Sequence, residues 1–142
     1  MMPFTKVRVP VPSAACGMVE LYVNKGSAKF SRRDGAGSDW ATLRASPHKV
    51  LEWFATASFA PSGQREAIGQ FEPCARRLAG LDQLKNEVRP PIAVPRFWQL
   101  EGSDYGFDAG PHLPYWLAKN DASFVPLLVP ANQMAHFSRL IA

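Results

Sequence analysis

Proline spacing limits what this chain can fold into, most sharply between Pro90 and Pro130. The stretch reads Pro90-Pro91-Ile92-Ala93-Val94, then a polar loop, then Tyr105-Gly106-Phe107-Asp108-Ala109-Gly110-Pro111-His112-Leu113. A short helical run from Pro114 to Asn120 follows, and then Phe124-Val125-Pro126-Leu127-Leu128-Val129-Pro130. Proline fixes its own φ, lacks an N–H and pushes the preceding residue out of the helical region. With 13 prolines in 142 residues the chain is cut into short elements, which disfavours a helical bundle. The order predicted over this stretch is strand, strand, glycine turn, helix, strand. A turn that feeds a helix start can hold an anion, because the first backbone N–H groups have no partner inside the helix.

Upstream, residues 4–11 alternate apolar and polar side chains, which predicts a half-buried strand. Pro10 and Pro12 place it at a sheet edge or end it. Residues 18–23 read as a second strand, Asn24-Lys25-Gly26-Ser27 as a turn, and Ala28-Lys29-Phe30 as a returning strand. The glycine-rich segment from Ser31 to Asp39 reads as a loop. With Arg32, Arg33 and Asp34 it is either a ligand loop or a solvated connection. Ser46-Pro47 has the residues of a helix start, serine at the cap and proline in the first turn. Val50, Phe54 and Ala57, joined by Leu51 and Ser58, then form a core-facing stripe with Trp53 at its margin, and the helix stops before Pro61. A helix broken at Pro73 is expected from Gln64 to Leu78, ended by Gly80, with a further helical turn between Asp82 and Val88. After Pro130, Met134, Phe137 and Ile141 recur at helical spacing beside Leu140, with His136 and Arg139 on the flanks. There are no internal repeats. The fold class expected is α+β, a small mixed sheet packed by helices, in one domain over residues 1–142.

The formal net charge of +4 is spread without a block of like charges, so it permits phosphate or nucleic-acid ligands without demanding them. Cys16 and Cys74 have no CxxC spacing and predict neither a zinc site nor a disulfide framework. They are expected as small buried hydrophobes in a reducing cytosol. No run approaches the ~18 apolar residues of a membrane span, so the expectation is a cytoplasmic protein without membrane insertion. His48, His112 and His136 form no HExxH, and no GxSxG, Walker loop or GxGxxG is present, so no metal site is expected.

One constellation carries chemistry: Asp108, Gly110 and His112 ahead of the helix near Pro114. Glycine lets backbone approach a ligand closely. The helix start offers oriented donors and about half a positive charge. His112 could donate to a phosphate oxygen or act as an acid or base, or it could be a turn or packing residue.

The stretch from Pro90 to Phe137 resembles the C-terminal part of the ParB/sulfiredoxin-like superfamily, and within it the plasmid fertility-inhibition factors. Those proteins show a Pro-Ile-x-Val strand, a second strand, a Gly-Arg-His-Arg type turn opening a helix, a Val-Pro-bearing strand and a closing helix. Here the matching segments are Pro91-Ile92-Ala93-Val94, a strand ending at Phe107-Asp108, the turn Gly110-Pro111-His112-Leu113 followed by Tyr115-Trp116-Leu117, the strand from Val125 to Pro130, and a helix opening Ala131-Asn132-Gln133-Met134-Ala135. The resemblance implies a ParB/sulfiredoxin-like unit over residues 90–142. It also implies a nucleotide or phosphate site at Gly110, His112 and Tyr115, with Arg96 as a substitute cation from a neighbouring strand end. The two turn arginines that hold phosphates in the family are Pro111 and Leu113 here. Their loss removes the bidentate donors, and Pro111 removes an N–H as well.

Three functions follow as expectations. The first is a fertility-inhibition-like protein that binds and blocks a DNA-transfer partner during plasmid conjugation, its nucleotide site degenerate. The second is a nucleotidase or DNase of the same fold using His112 and Asp108, with ATP or DNA as substrate and a divalent metal ion recruited by the carboxylate. The third is a phage or plasmid inhibitor of a bacterial defence system, or an immunity protein. The degraded turn favours binding over catalysis and leaves no certain cofactor. For a protein partner, Trp98, Tyr105, Arg32 and Arg33 are the candidate contacts, since aromatic and arginine anchors dominate interfaces. The alternative for the two aromatics is packing in the core or on a strand face.

Overall fold

The alternating N-terminal segment builds strand β1 (Phe4–Pro10), which pairs antiparallel with β2 (Met18–Asn24). The computed structural model describes residues 4–24, 39–61, 69–86, 92–100, 104–108 and 110–142. In the β1–β2 register Val9 faces Val19 and Val7 faces Leu21, while Lys6 and Arg8 flank Glu20 at 3.3 and 3.6 Å on the other face. A two-residue strand, β6 (Ile92–Ala93), joins β2 in parallel and completes a three-stranded sheet with β1 at its edge.

Among the described residues the larger sheet has six strands. It contains β3 (Trp40–Ala45), β4 (Ser58–Pro61), β5 (Gly69–Gln70), β7 (Arg96–Gln99), β8 (Asp104–Asp108) and β9 (Val125–Pro130) in the order β3-β9-β7-β8-β4-β5. Strand β9 is buried at all six positions, as a central strand should be. Its prolines fit because N–H groups alternate sides along a strand. Leu128 N–H donates to Pro95 C=O at 3.0 Å on the β7 side, so Pro126 and Pro130 also face that way. There β7 pairs only at Arg96↔Leu128, and the β3 ladder keeps the N–H groups of Val125, Leu127 and Val129.

Four helices pack the sheets: α1 (Pro47–Thr56), α2 (Ala75–Leu81), α3 (His112–Lys119) and α4 (Met134–Ile141). The Ser46 hydroxyl accepts the Lys49 N–H at 3.4 Å and caps α1, while Ser46 N–H donates to Ile141 C=O at 2.6 Å. Helix α1 lies against α3 and α4, and α2 lies against α3. A Trp116 Nε1–H to Asp82 Oδ1 bond at 2.9 Å fastens α3 to the 3-10 turn Asp82–Lys85 after α2. The molecule is therefore an α+β fold with two mixed sheets and four helices among the described residues.

Several expectations need correction. Two sheets stand where one small sheet was predicted. The stretch read as a polar loop between Val94 and Tyr105 contains β7, whose Phe97 and Trp98 are both buried, so it lacks the alternation of a surface strand. Strands β3 and β4 were not anticipated. Phe71 lies outside any helix, because β5 and an irregular segment replace the helix expected there, and α2 runs past Gly80 to Leu81. Trp53 is not marginal: it is 3% exposed and its ring lies 5.1–5.2 Å from those of Phe54, Phe59, Phe97 and Tyr105. Cys16 and Cys74 are exposed free thiols and not buried hydrophobes. The predicted return strand at Ala28–Phe30 and the loop bearing Arg32, Arg33 and Asp34 lie outside the described residues. No helix among the described residues is long and apolar enough to cross a membrane.

Candidate functional site

Strand β8 delivers the chain to the turn at Asp108, and Gly110 makes the bend with φ +82°. A side chain there would be strained by backbone conformation alone, since no atom lies within 4 Å of where a Cβ would sit. Pro111 occupies the cap position of α3 and His112 is its first residue.

His112 is tied to α2. The Cys74 N–H donates to His112 Nε2 at 3.0 Å, which places the neutral ring's proton on Nδ1. Nδ1 is buried and has no hydrogen-bond partner among the described residues. The ring meets Phe71 edge-on at 4.9 Å. Burial, and then the Arg77 guanidinium nearby, hold the His112 pKa below its ordinary 6.5. A proton on Nε2 would also abolish the bond from Cys74, so the geometry favours the neutral imidazole.

Beside this histidine a cavity of about 560 Å³ opens, lined by Phe71, Phe107, His112, Arg77 and Glu72 and by Phe59, which is itself only 2% exposed. The Gly110–Pro111–His112 turn forms part of its lining. A smaller hollow of about 300 Å³, lined by Leu81, Ile92 and Leu113 among others, shares Arg77 and His112 with it. Arg77 and Glu72 are exposed, and neither makes an ion pair among the described residues. A cavity of this size with aromatic walls and a few polar groups is the usual form of a small-molecule site.

The other predicted site residues divide. Tyr115 backs the Phe71 ring at 5.3 Å and does not line the cavity. Arg96 and Asp108 are cross-strand partners and form an ion pair at 3.3 Å, with the Arg96 guanidinium 5.7 Å from the Trp40 ring centre. Neither lines the cavity, so Arg96 does not replace the missing turn arginines there. Trp98 and Tyr105 are 1% and 4% exposed, and in this fold neither presents its ring to a partner. The Tyr105 hydroxyl and His136 Nε2 share a hydrogen bond of 2.7 Å. Burial raises the tyrosine's pKa, and burial with Arg139 lowers the histidine's. No group of three metal-ligating side chains occurs among the described residues.

Phe59, Phe71, Glu72, Arg77 and Phe107 were not anticipated as site residues. Phe107 adjoins the predicted turn in sequence. The others reach it only through the pairing of β4 with β8 and the packing of α2 on α3, for which no local pattern speaks. No family model, curated protein or solved structure matches the chain.

Proposed function

We propose that this chain acts by binding, and that the cavity beside His112 receives a small anion bearing a flat ring. The observation that carries this reading is the convergence of Phe71 and Phe107 with Arg77 and the Gly110–Pro111–His112 turn in the lining of one cavity. Aromatic walls favour flat rings by face and edge contacts, and a guanidinium matches an acidic group in two-pronged geometry. Binding is preferred over catalysis because His112 Nε2 already accepts the Cys74 N–H, and a general base needs a free lone pair. Nucleotides are the ring-bearing anions that the family resemblance implies.

A set of ring-bearing anions, nucleotides included, screened by ligand-observed NMR tests the reading. Ligands that bind the wild type and are lost with Arg77→Glu support it. A set in which none binds, or in which binding ignores Arg77, overturns it.

At the level of the cell we propose that the protein blocks a DNA-transfer partner, as fertility-inhibition factors do. What supports this is the order of β6, β8, α3, β9 and α4, which follows the order of segments in that resemblance. Expression in a conjugation donor should lower plasmid transfer. Unchanged transfer of every plasmid tried would end this part of the proposal.

A further inference from the structure

The lining of the cavity also restricts the charge of its ligand, an inference that rests on the binding reading above. Arg77 is the one guanidinium and Glu72 the one carboxylate among the described lining residues, so their formal charges cancel. His112 adds no charge, because burial and Arg77 keep it neutral. The start of α3 is short of donors. Pro111 and Pro114 have no N–H, and the Tyr115 N–H is spent on Pro111 C=O at 3.1 Å. In the first turn only His112 and Leu113 otherwise carry an amide N–H.

A polyphosphate brings several negative charges, and such sites supply several cations or a full ring of amides to match them. The described lining offers one guanidinium, and Glu72 repels any charge beyond the first. A carboxylate needs only one guanidinium fork, and that pair is a matched bidentate contact. The aromatic walls do not discriminate, since both classes carry a ring. We infer that the cavity selects an aromatic monocarboxylate, its ring against Phe71 and Phe107 and its carboxylate on Arg77, over phosphorylated nucleotides.

Calorimetric titration of the whole chain with benzoate, indole-3-acetate and ATP separates the possibilities. Both carboxylates are expected to bind the wild type more tightly than ATP. Arg77→Gln should weaken them by about tenfold or more, the size expected for a charge-assisted pair. Glu72→Gln should strengthen ATP more than either carboxylate, because it removes the repulsion that excludes extra charge. Both side chains are exposed, so an unchanged far-UV circular dichroism spectrum is expected of each variant. Tighter binding of ATP than of the carboxylates in the wild type overturns the monocarboxylate assignment and leaves the pocket standing as a site for ring-bearing anions. Carboxylate binding that is indifferent to Arg77→Gln also overturns it. Failure of all three probes to bind overturns the assignment together with the reading on which it rests.

Discussion

At Gly106 the backbone of β8 and the indole of Trp98 share space that a single methyl group would fill. A Cβ built at Gly106 falls on the Trp98 ring, at Nε1, Cε2 and Cζ2. Trp98 is 1% exposed and sits edge-on to Trp40 at 6.2 Å, so it has little room to retreat. Gly106 and Trp98 are direct partners in the β7–β8 ladder, which makes this a cross-strand fit and not a turn requirement. Gly106→Ala is therefore expected to destabilise the fold by about 3 kcal/mol, at the upper end of overpacking costs, read as a lower urea midpoint. A loss below about 0.5 kcal/mol, the usual size for surface substitutions, would show that the indole yields easily. The histidines make a second residue-level prediction. Burial lowers the pKa of both His112 and His136 from 6.5, with Arg77 and Arg139 acting in the same direction. Below that value the unfolded chain binds more protons than the folded one, so falling pH favours unfolding. The stabilisation from the neutral rings is complete above about pH 6.5 and is lost as pH falls through the lowered folded-state values. The urea midpoint should decline over that range, and the double variant His112→Gln, His136→Gln should flatten the decline. Glutamine keeps an acceptor for the Cys74 N–H but takes no proton. An equally steep decline in the double variant would assign the acid sensitivity to other groups.

Elements were legible in the sequence wherever a local signal was complete. Helix α1 announced itself because Ser46, Pro47 and the stripe beginning at Val50 agree on one start and one face. That agreement yields a prediction: Ser46→Ala should cost about 1 kcal/mol, and Ser46→Asp should keep most of the stability, both measured by urea unfolding. Equal losses from the two substitutions would place the value of Ser46 elsewhere than in its cap bond to Lys49. The same helix also shows where pattern reading falls short. Trp53 stands three residues after Val50 and belongs to the same face, yet a stripe drawn through Phe54 and Ala57 leaves it at the edge. Its place at the centre of the aromatic cluster depends on Phe59, Phe97 and Tyr105, which arrive from β4, β7 and β8. Strand β7 was missed because Phe97 and Trp98 are buried on both faces, which erases the period of two. The site divides the same way. Gly110 and His112 could be picked out because a glycine turn before a helix is a local arrangement. Arg77 and Phe71 could not, because they join the site only when α2 packs on α3 and Cys74 N–H reaches His112.

Across the whole molecule, the question is whether the three-stranded sheet is an independent unit or part of one folding transition. Backbone bonds that tie it to the rest among the described residues include Ser123 N–H to Pro10 C=O at 3.0 Å and Ala15 N–H to Lys85 C=O at 2.8 Å. Its side chains are committed deeply as well. Val9, Val11, Val19 and Leu21 are at most 1% exposed, and they belong to the same hydrophobic cluster as Leu127, Leu128 and Phe137 from β9 and α4. Exposing a buried aliphatic side chain costs about 1.5–3 kcal/mol, so uncovering these four costs about 6–12 kcal/mol. Domain stabilities lie at about 5–15 kcal/mol, the same range, so opening the smaller sheet alone costs about as much as unfolding the whole. The two sheets should therefore unfold together. Native-state hydrogen exchange in rising urea should show the amides of Val19 and Leu21 merging with those of Leu127 and Val129 on one global isotherm. The edge strand β1, with Lys6 and Arg8 facing solvent, should still fray locally at low urea. Exchange of Val19 and Leu21 through a separate opening several kcal/mol below the global one would show that the small sheet detaches and that the shared core is less continuous than its packing implies. The candidate site depends on the outcome, because the hollow beside it is floored by Ile92 and Ala93 of β6, and β6 is held by β2. Unfolding in one step would keep that floor and the Arg77–His112 wall together at every denaturant concentration where the protein is folded.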